Sequence, residues 1–580
     1  MLNAQVGRPE SIEFWGGSLF LKRPGTRLRR GVNSLKISRV QIANWRSIKH
    51  IDFYPQDICI LVGANNAGKT NILSAINFLL GERWPMPGNL DDSDYYGRDR
   101  DNEIHIRLTL EHPNVSSIDF DTSKAQYTLI AIDNRGYGIR GFNNTMREEL
   151  AFAYVDAGRN YDRQFSNSRW SIFGQALRHL HATLKQNGEQ LAKLREALKV
   201  AHELLQTDQY KAFEKELKDA FAAQLRTARY DVAFEFRTME ETNLYRSLFP
   251  TLIERGVPRN PLEVGSGIRN VLVLALFQAF AKSFKGDSVL GIEEPELYLH
   301  PHAQRSLMKQ FEELVTAGNQ IFISTHSAHF LDVARSDRIV LVERDDDEEG
   351  EVCTQVKTAS SESLLSARQK LHPTRPITLS SMRAFLKNVR TAEMTEAFFA
   401  RAVVVVEGPS EREAIPILAR SCSMDFDEHG ISIVSAGGKT AIDTLAQLYE
   451  CHGIRTYIVF DNDAGNASEK AANRSLCRLL NITEVDEPLA CVKEGYAILE
   501  GNWEKQCRTH LETIQVGLYD ELEAKARSEL GISGDRNKPL VARFVAESLA
   551  QQHRIPQFMQ ALLSEIRKKL PSVPDAGVDS

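Results

Sequence analysis

The sequence predicts an α/β protein made of two successive α/β units, and three observations carry that prediction. An apolar run, Ile58 to Val62, leads into Gly63-Ala64-Asn65-Asn66-Ala67-Gly68-Lys69-Thr70 and then into a helical pattern of Ile72, Leu73, Ile76, Leu79 and Leu80. A second apolar run, Val289 to Ile292, ends in Glu293-Glu294. Two further runs, Ala402 to Val406 and Tyr457 to Phe460, end in Glu407 and in Asp461-Asn462-Asp463. Short apolar runs bounded by turn residues and alternating with helical patterns read as buried strands of a largely parallel sheet.

At 580 residues the chain is too long for one core and suggests about three to four compact units. A formal net charge of −6 argues against a uniformly basic nucleic-acid coat but leaves room for a local basic groove. The seven cysteines form no C-x-x-C pair. That scatter points to a reducing compartment and away from a disulfide framework or structural zinc. The longest apolar run, Val271 to Ala281, is about half of a membrane span. With no secretory signal pattern at its start, the chain reads as cytoplasmic, with no membrane partner.

In chain order, residues 1–33 are rich in Gly, Pro and Arg and read as a flexible extension. Residues 34–170 hold a strand over Lys36 to Ile42, the glycine loop, and a strictly alternating strand over Glu103 to Leu110. Residues 171–230 change texture: Leu177, Leu184, Leu191, Leu198 and Leu205 recur every seven residues, a helical seam. Asn187-Gly188 interrupts it, so a helical hairpin and one long coil are both compatible. This insertion either packs on its own domain or serves as a dimerisation arm. Residues 231–358 return to strand–helix alternation and carry an acidic run, Asp345 to Glu351, read as a solvated hairpin tip. Residues 359–400 read as a linker, 401–570 as the second α/β unit and 571–580 as a disordered tail.

The glycine loop fills every fixed position of the phosphate-binding pattern G-x-x-x-x-G-K-[ST] between a strand and a helix, the context that supports it. Gly63, Asn66 and Gly68 lie in the wrap around the phosphates, Lys69 reaches the β- and γ-phosphates, and the Thr70 hydroxyl holds Mg²⁺. A nucleoside triphosphate is therefore the expected cofactor. A buried strand ending in two acids needs a compensating cation. In the Walker B arrangement Glu293 supports the metal and Glu294 polarises the attacking water. Ser266 and Gly267 precede an apolar helix and offer a hydroxyl and amides to a γ-phosphate. His326, after the strand Gln320 to Thr325, is set to sense that phosphate.

In this order the motifs resemble the ABC-type ATPase heads of the SMC/RecF kind. The resemblance implies a dimer in which Ser266 and Gly267 of one copy complete the site built on Lys69 of the other. Glu293 stands where many such heads have Asp. The Q-loop glutamine is not assigned, and neither is the region around Asp91 to Tyr96.

In the second unit Glu407, Glu411, Asp461 and Asp463 would gather at the carboxyl edge of a parallel sheet, where ligands collect. Crowded carboxylates are stable chiefly with divalent cations between them, and hard oxygen donors suit Mg²⁺ or Mn²⁺. Val434 to Lys439 adds a strand and a glycine turn. These motifs resemble the Toprim domain, in which such acids bind metals for phosphodiester chemistry. One metal is expected near Glu407 and Asp461 to activate water, another with Glu411 and Asp463 to stabilise the leaving oxygen.

An ABC-type head with a helical dimerisation insertion, followed by a Toprim α/β domain, resembles the OLD (overcoming lysogenisation defect) family of ATP-dependent endonucleases. That family includes phage-defence proteins such as the Gabija nuclease subunit. The resemblance implies a further metal-binding acid, Glu500 or Glu504, with Asn502 where an acid is common. It also implies a lysine, Lys538, to stabilise charge on phosphorus. The expectation is a metal-dependent DNA endonuclease regulated by ATP, in phage defence or DNA metabolism, acting as a homodimer or larger homo-oligomer and served by a helicase-like partner. Two alternatives stand beside it: an ATP-gated sensor or scaffold with an idle Toprim domain, and a Toprim ribonuclease acting on tRNA.

Overall fold

The structure, a computed structural model, describes residues 35–570 except 125–127, 151, 169, 226–246, 284–287, 348–349, 464 and 534–536. The expected extension over 1–33, the tail over 571–580 and the end of the insertion over 226–230 lie outside the described residues.

The first sheet is antiparallel, in the order β2-β1-β4-β5-β6. Its strands are β1 (Lys36–Trp45), β2 (Ile48–Phe53), β4 (His105–Glu111), β5 (Ser117–Asp121) and β6 (Leu129–Ile132). In β4 the residues Ile106, Leu108 and Leu110 point inward and their neighbours outward, as strict alternation requires.

The second sheet runs β13-β12-β3-β11-β10-β7. It contains β3 (Ile58–Val62), β7 (Phe152–Val155), β10 (Val289–Glu293), β11 (Gln320–Thr325), β12 (Ile339–Asp346) and β13 (Val352–Thr358). All neighbours pair in parallel except β12 with β13. Every residue of β3, β10 and β11 is buried because both faces are covered. On β3, Ile58, Ile60 and Val62 face one core, while Cys59 and Leu61 face the core shared with the antiparallel sheet. A small hairpin, β8 (Leu252–Glu254) and β9 (Val257–Arg259), stands apart.

The insertion is helical: Ile172–Gln186, Gly188–Leu205 and Asp208–Leu225. Asn187 ends the first helix and caps the second, its side chain accepting from the Gln190 amide. The leucine seam is continuous in sequence but not in burial. Leu177 and Leu184 are buried, Leu191 and Leu198 half-buried, Leu205 exposed.

The third sheet runs β15-β14-β16-β18-β17. Its strands are β14 (Ala402–Val406), β15 (Ile431–Ser435), β16 (Thr456–Asp461), β17 (Cys491–Lys493) and β18 (Tyr496–Leu499), all parallel except β17. Residues 359–400, expected as a linker, fold into the helices Ser361–Leu371, Leu379–Val389 and Ala392–Glu396. Met382, Leu386 and Met394 join one apolar core with Ile60 and Ile323 of the second sheet and with Val403, Val405 and Ile458 of the third. The segment is a packed wedge because its helices present apolar faces to both sheets. Among the described residues, no helix is long and apolar enough to cross a membrane.

Candidate active sites

The loop after β3 wraps tightly because its glycines permit it. Gly63 has φ +157, and a Cβ there would lie 1.9 Å from the Val342 carbonyl oxygen. Gly68 has φ +111, and a Cβ would lie 2.3 Å from Thr354 Oγ1. Asn66 takes φ 62, a left-handed turn position that Asn tolerates. The ammonium of Lys69 folds back on the loop, donating to the Gly63 and Ala64 carbonyls at 2.9 Å each. A cavity of about 670 Å³ opens here, lined by Asn66, Lys69, Thr70, Glu294, His326 and Arg344 among others.

Of the two acids at the end of β10, Glu294 lines this cavity and Glu293, the last strand residue, does not. Glu293 is buried, its oxygens accepting from the Tyr154 hydroxyl at 2.7 Å and the Ala157 amide at 3.1 Å. Those bonds draw Glu293 toward β7, whereas Glu294, at φ 42, turns back over the loop. The expected metal-supporting role of Glu293 thus meets a carboxylate already engaged. Burial lowers the pKa of Lys69, against the raising effect of Glu294, Glu296 and Glu293. His326 is anchored through its backbone: its amide donates to Glu296 Oε1 at 2.6 Å, and Thr325 Oγ1 donates to the other oxygen at 2.8 Å. Burial, then the charge of Lys69, holds the His326 imidazole below its usual pKa.

Ser266 and Gly267 open the helix Ser266–Ser283. Ser266 lines a separate cavity of about 650 Å³ with Asp156, Arg159, Arg269, Asn270 and Tyr298. Within one chain Ser266 and Lys69 therefore serve different cavities. Arg159, buried, donates to the carbonyls of Leu297 at 2.8 Å and Glu294 at 2.5 Å, fixing the turn after β10.

At the carboxyl edge of the third sheet, Glu407 follows β14 and Asp461 ends β16, its neighbour in the sheet. The amide of Asp461 donates to Glu407 Oε2 at 3.2 Å. Glu411 lies buried in the first turn of the helix Pro409–Ser421. Lys439, at the start of the helix Lys439–Cys451, is buried, hydrogen-bonded to Asp463 and 3.9 Å from Glu407 Oε2. Burial raises the pKa of Asp461, and Glu411, Glu407 and Asp463 raise it further; Lys439 only partly opposes them. Glu411 is raised too, by burial and then by Glu407 and Glu504. Asp461 Oδ1 is buried with no hydrogen-bond partner.

The downstream acids separate. Glu504, in the first turn of the helix Trp503–Leu511, is half-buried and close enough to act electrostatically on Glu411. Glu500 is half exposed and pairs with Lys505 at 3.1 Å, outside the cluster. Asn502 caps that helix by accepting from the Lys505 amide at 2.8 Å, which accounts for an Asn at this position. Lys538 is exposed at the start of the helix Lys538–Gln551, which packs on the helix of Glu411; no ion pair joins it to the acids among the described residues. Among the described residues, no three Asp, Glu, His or Cys side chains converge closely enough to hold a metal ion. The acids expected to bind metal form an open row, with the Lys439 ammonium standing against two of them, Glu407 and Asp463. The donor set still fits a hard divalent cation: it is carboxylate-rich, under-neutralised, and leaves Asp461 Oδ1 unmatched.

Two residues outside the predicted set belong to these sites. Lys439 follows Gly437-Gly438 and opens a helix, a weaker form of the Gly-Lys signal at Lys69. Arg344 is far in sequence from the glycine loop, and only the β12–β3 pairing brings it there.

Residues 58–332 match an AAA-domain family described for the AbiEii toxin of a Type IV TA system. Residues 398–463 match the TOPRIM domain of overcoming lysogenization defect protein-like chains. The chain is 26% identical over 459 residues to the OLD nuclease of Thermus scotoductus, covering 75% of this chain and 83% of that one. It is 24% identical over 545 residues to the endonuclease GajA of Bacillus cereus, covering 85% and 83%. Among solved structures, the C-terminal region of the Xanthomonas campestris OLD protein is 21% identical, covering 30% of this chain and 96% of that one with a TM-score of 0.23. An Smc head domain from Pyrococcus furiosus is 14% identical, covering 58% and 100% with a TM-score of 0.34.

Proposed function

We propose that this chain, an AAA-type ATPase domain joined to an OLD-like TOPRIM domain, is an ATP-dependent, metal-dependent DNA endonuclease. The observation that carries the reading is the under-neutralised acid row of Glu407, Glu411, Asp461, Asp463 and Glu504 at one sheet edge, in the same chain as a phosphate loop facing Glu294 and His326.

In the ATPase half, Lys69 leaves the Gly63 and Ala64 carbonyls for the nucleotide phosphates, and Thr70 holds Mg²⁺. Glu294, which lines the cavity, orients the attacking water, and His326 hydrogen-bonds the γ-phosphate. Ser266 and Gly267 of a second copy complete the cavity, so the working unit is a homodimer or larger homo-oligomer.

In the TOPRIM half, Mg²⁺ or Mn²⁺ held by the five acids would supply an activated water and charge neutralisation at phosphorus. The chain's own groups prepare that site. The Asp461 amide orients Glu407, Lys439 limits repulsion among the acids, and Lys538 lies on the helix that packs against that of Glu411, available to a phosphate. Phage defence, with a helicase-like partner, is the role we infer from the family resemblance of the sequence motifs.

The test is nicking of plasmid DNA with Mg²⁺ or Mn²⁺. Cleavage should vanish in Asp461→Ala plus Asp463→Ala while ATP hydrolysis persists; continued cutting by that variant overturns the assignment. A second reading is favoured by Lys439, whose ammonium sits where a cation is wanted: an ATP-gated sensor with an idle TOPRIM domain. Robust ATP hydrolysis with no cutting of DNA or tRNA supports it, and cutting of tRNA alone makes the chain a ribonuclease.

A further inference from the structure

Three consecutive residues of β12 face two different sites. Arg344 lines the cavity of Lys69, Thr70 and His326. Glu343 accepts from the Lys357 ammonium, which also donates to the Gly453 carbonyl at 3.3 Å. Asp345 pairs with Arg455 at 3.3 Å. Successive strand residues point to opposite faces, so Arg344 looks one way and both its neighbours the other. Gly453 and Arg455 lie just before β16, the strand that ends in Asp461.

The hairpin is also locked to the phosphate loop. Thr354, directly opposite Arg344 in the ladder, donates from Oγ1 to the Ala67 carbonyl at 2.9 Å. Its amide donates to the Ser47 carbonyl at 2.8 Å. Gly63 lacks a side chain because the Val342 carbonyl sits over it. The hairpin and the loop are thus joined by hydrogen bonding and close backbone packing.

Arg344 is exposed, and no hydrogen bond or ion pair engages its guanidinium among the described residues. A planar five-donor cation on the wall of a polyphosphate cavity suits a phosphate oxygen. We propose that Arg344 contacts the phosphates of a bound nucleoside triphosphate, and that β12 relays occupancy of the cavity through Glu343 and Asp345 to β16 and Asp461. This rests on reading the cavity as the ATP site. The Asp345–Arg455 pair is part-exposed, so its contribution is geometric more than energetic.

Equilibrium binding of ATP to the full-length chain tests the contact, with Lys69→Ala as the reference. Arg344→Ala is expected to weaken ATP about tenfold, and Arg344→Lys to recover part of that, since a charged hydrogen bond is lost and then partly restored. Equal ATP affinity in wild type and Arg344→Ala overturns the contact. A wild type that binds no ATP overturns the nucleotide reading instead. Hydrogen exchange over residues 454–461 tests the relay without requiring cleavage. ATP should change exchange there several-fold in wild type, and not in Asp345→Asn combined with Lys357→Ala, which should bind ATP normally. An unaltered ATP response in that double variant overturns the relay.

Discussion

The ammonium of Lys439 stands 3.9 Å from Oε2 of Glu407, on the side where it also hydrogen-bonds Asp463. One buried cation therefore faces an acid row in which two further members, Glu411 and Asp461, are lifted in pKa by burial.

Lys439→Met should destabilise the protein at neutral pH in the presence of a chelator. Removing one member of a buried charge set leaves the rest uncompensated, at a cost of about 3 kcal/mol. Added Mn²⁺ should restore part of the loss by taking the place of the missing charge. Thermal melts with and without metal check this; identical melting of wild type and variant in chelator would refute it.

Glu504 and Glu500 should separate in function. Glu504→Gln is expected to cut plasmid DNA at least tenfold more slowly, because Glu504 acts on Glu411. Glu500→Gln should remain within about twofold of wild type, because its carboxylate pairs with Lys505 at the surface. Nicking rates at saturating Mg²⁺ decide the matter.

Glu293 and Glu294 should divide in the same way. Glu294→Gln should retain ATP binding and lose hydrolysis by about a hundredfold or more, the scale of losing a positioned catalytic base. Glu293→Gln should instead lower stability, by about 2 kcal/mol, through weakened bonds from Tyr154 and Ala157. Paired ATP-binding and unfolding measurements distinguish the two; equal hydrolysis defects with equal stability would contradict the division.

Asp443 ties the wedge to the TOPRIM unit and should give an acid-dependent stability term. Burial alone would raise its carboxyl. Hydrogen bonds from His372 and Ser475 and the charge of Arg368 outweigh burial and hold the pKa at about 2, below the ordinary 3.8. A depressed carboxyl stabilises the fold fully above the unfolded value and loses that contribution as pH falls through the folded one. The window therefore runs from about pH 4 down to about pH 2, and the term is worth about 2 kcal/mol. Urea unfolding across that range should show a steeper acid loss in wild type than in Asp443→Asn.

Strand-borne signals were legible because they are local. The loop from Gly63 to Thr70 and the acids after β14 and β16 each follow an apolar run that can only be a covered strand. What could not be read depends on distant partners. Nothing near Glu293 announces that Tyr154, 139 residues away, takes its oxygen. Arg344 joins the cavity of Lys69 through sheet order, and Lys439 meets Asp463 only across the sheet edge. Residues 359–400 read as a linker because prolines interrupt their helical periods, yet Met382, Leu386 and Met394 fill a core contributed by both units.

That common apolar mass has a thermal consequence. Chains of this size usually melt in pieces, each domain with its own transition. Here Ile60 and Ile323 of one unit and Val405 and Ile458 of the other are wetted together when the wedge loosens. Calorimetry should register both units disappearing in one cooperative heat-absorption peak, and a cavity cut at Leu386 should drag the whole peak to lower temperature instead of splitting it.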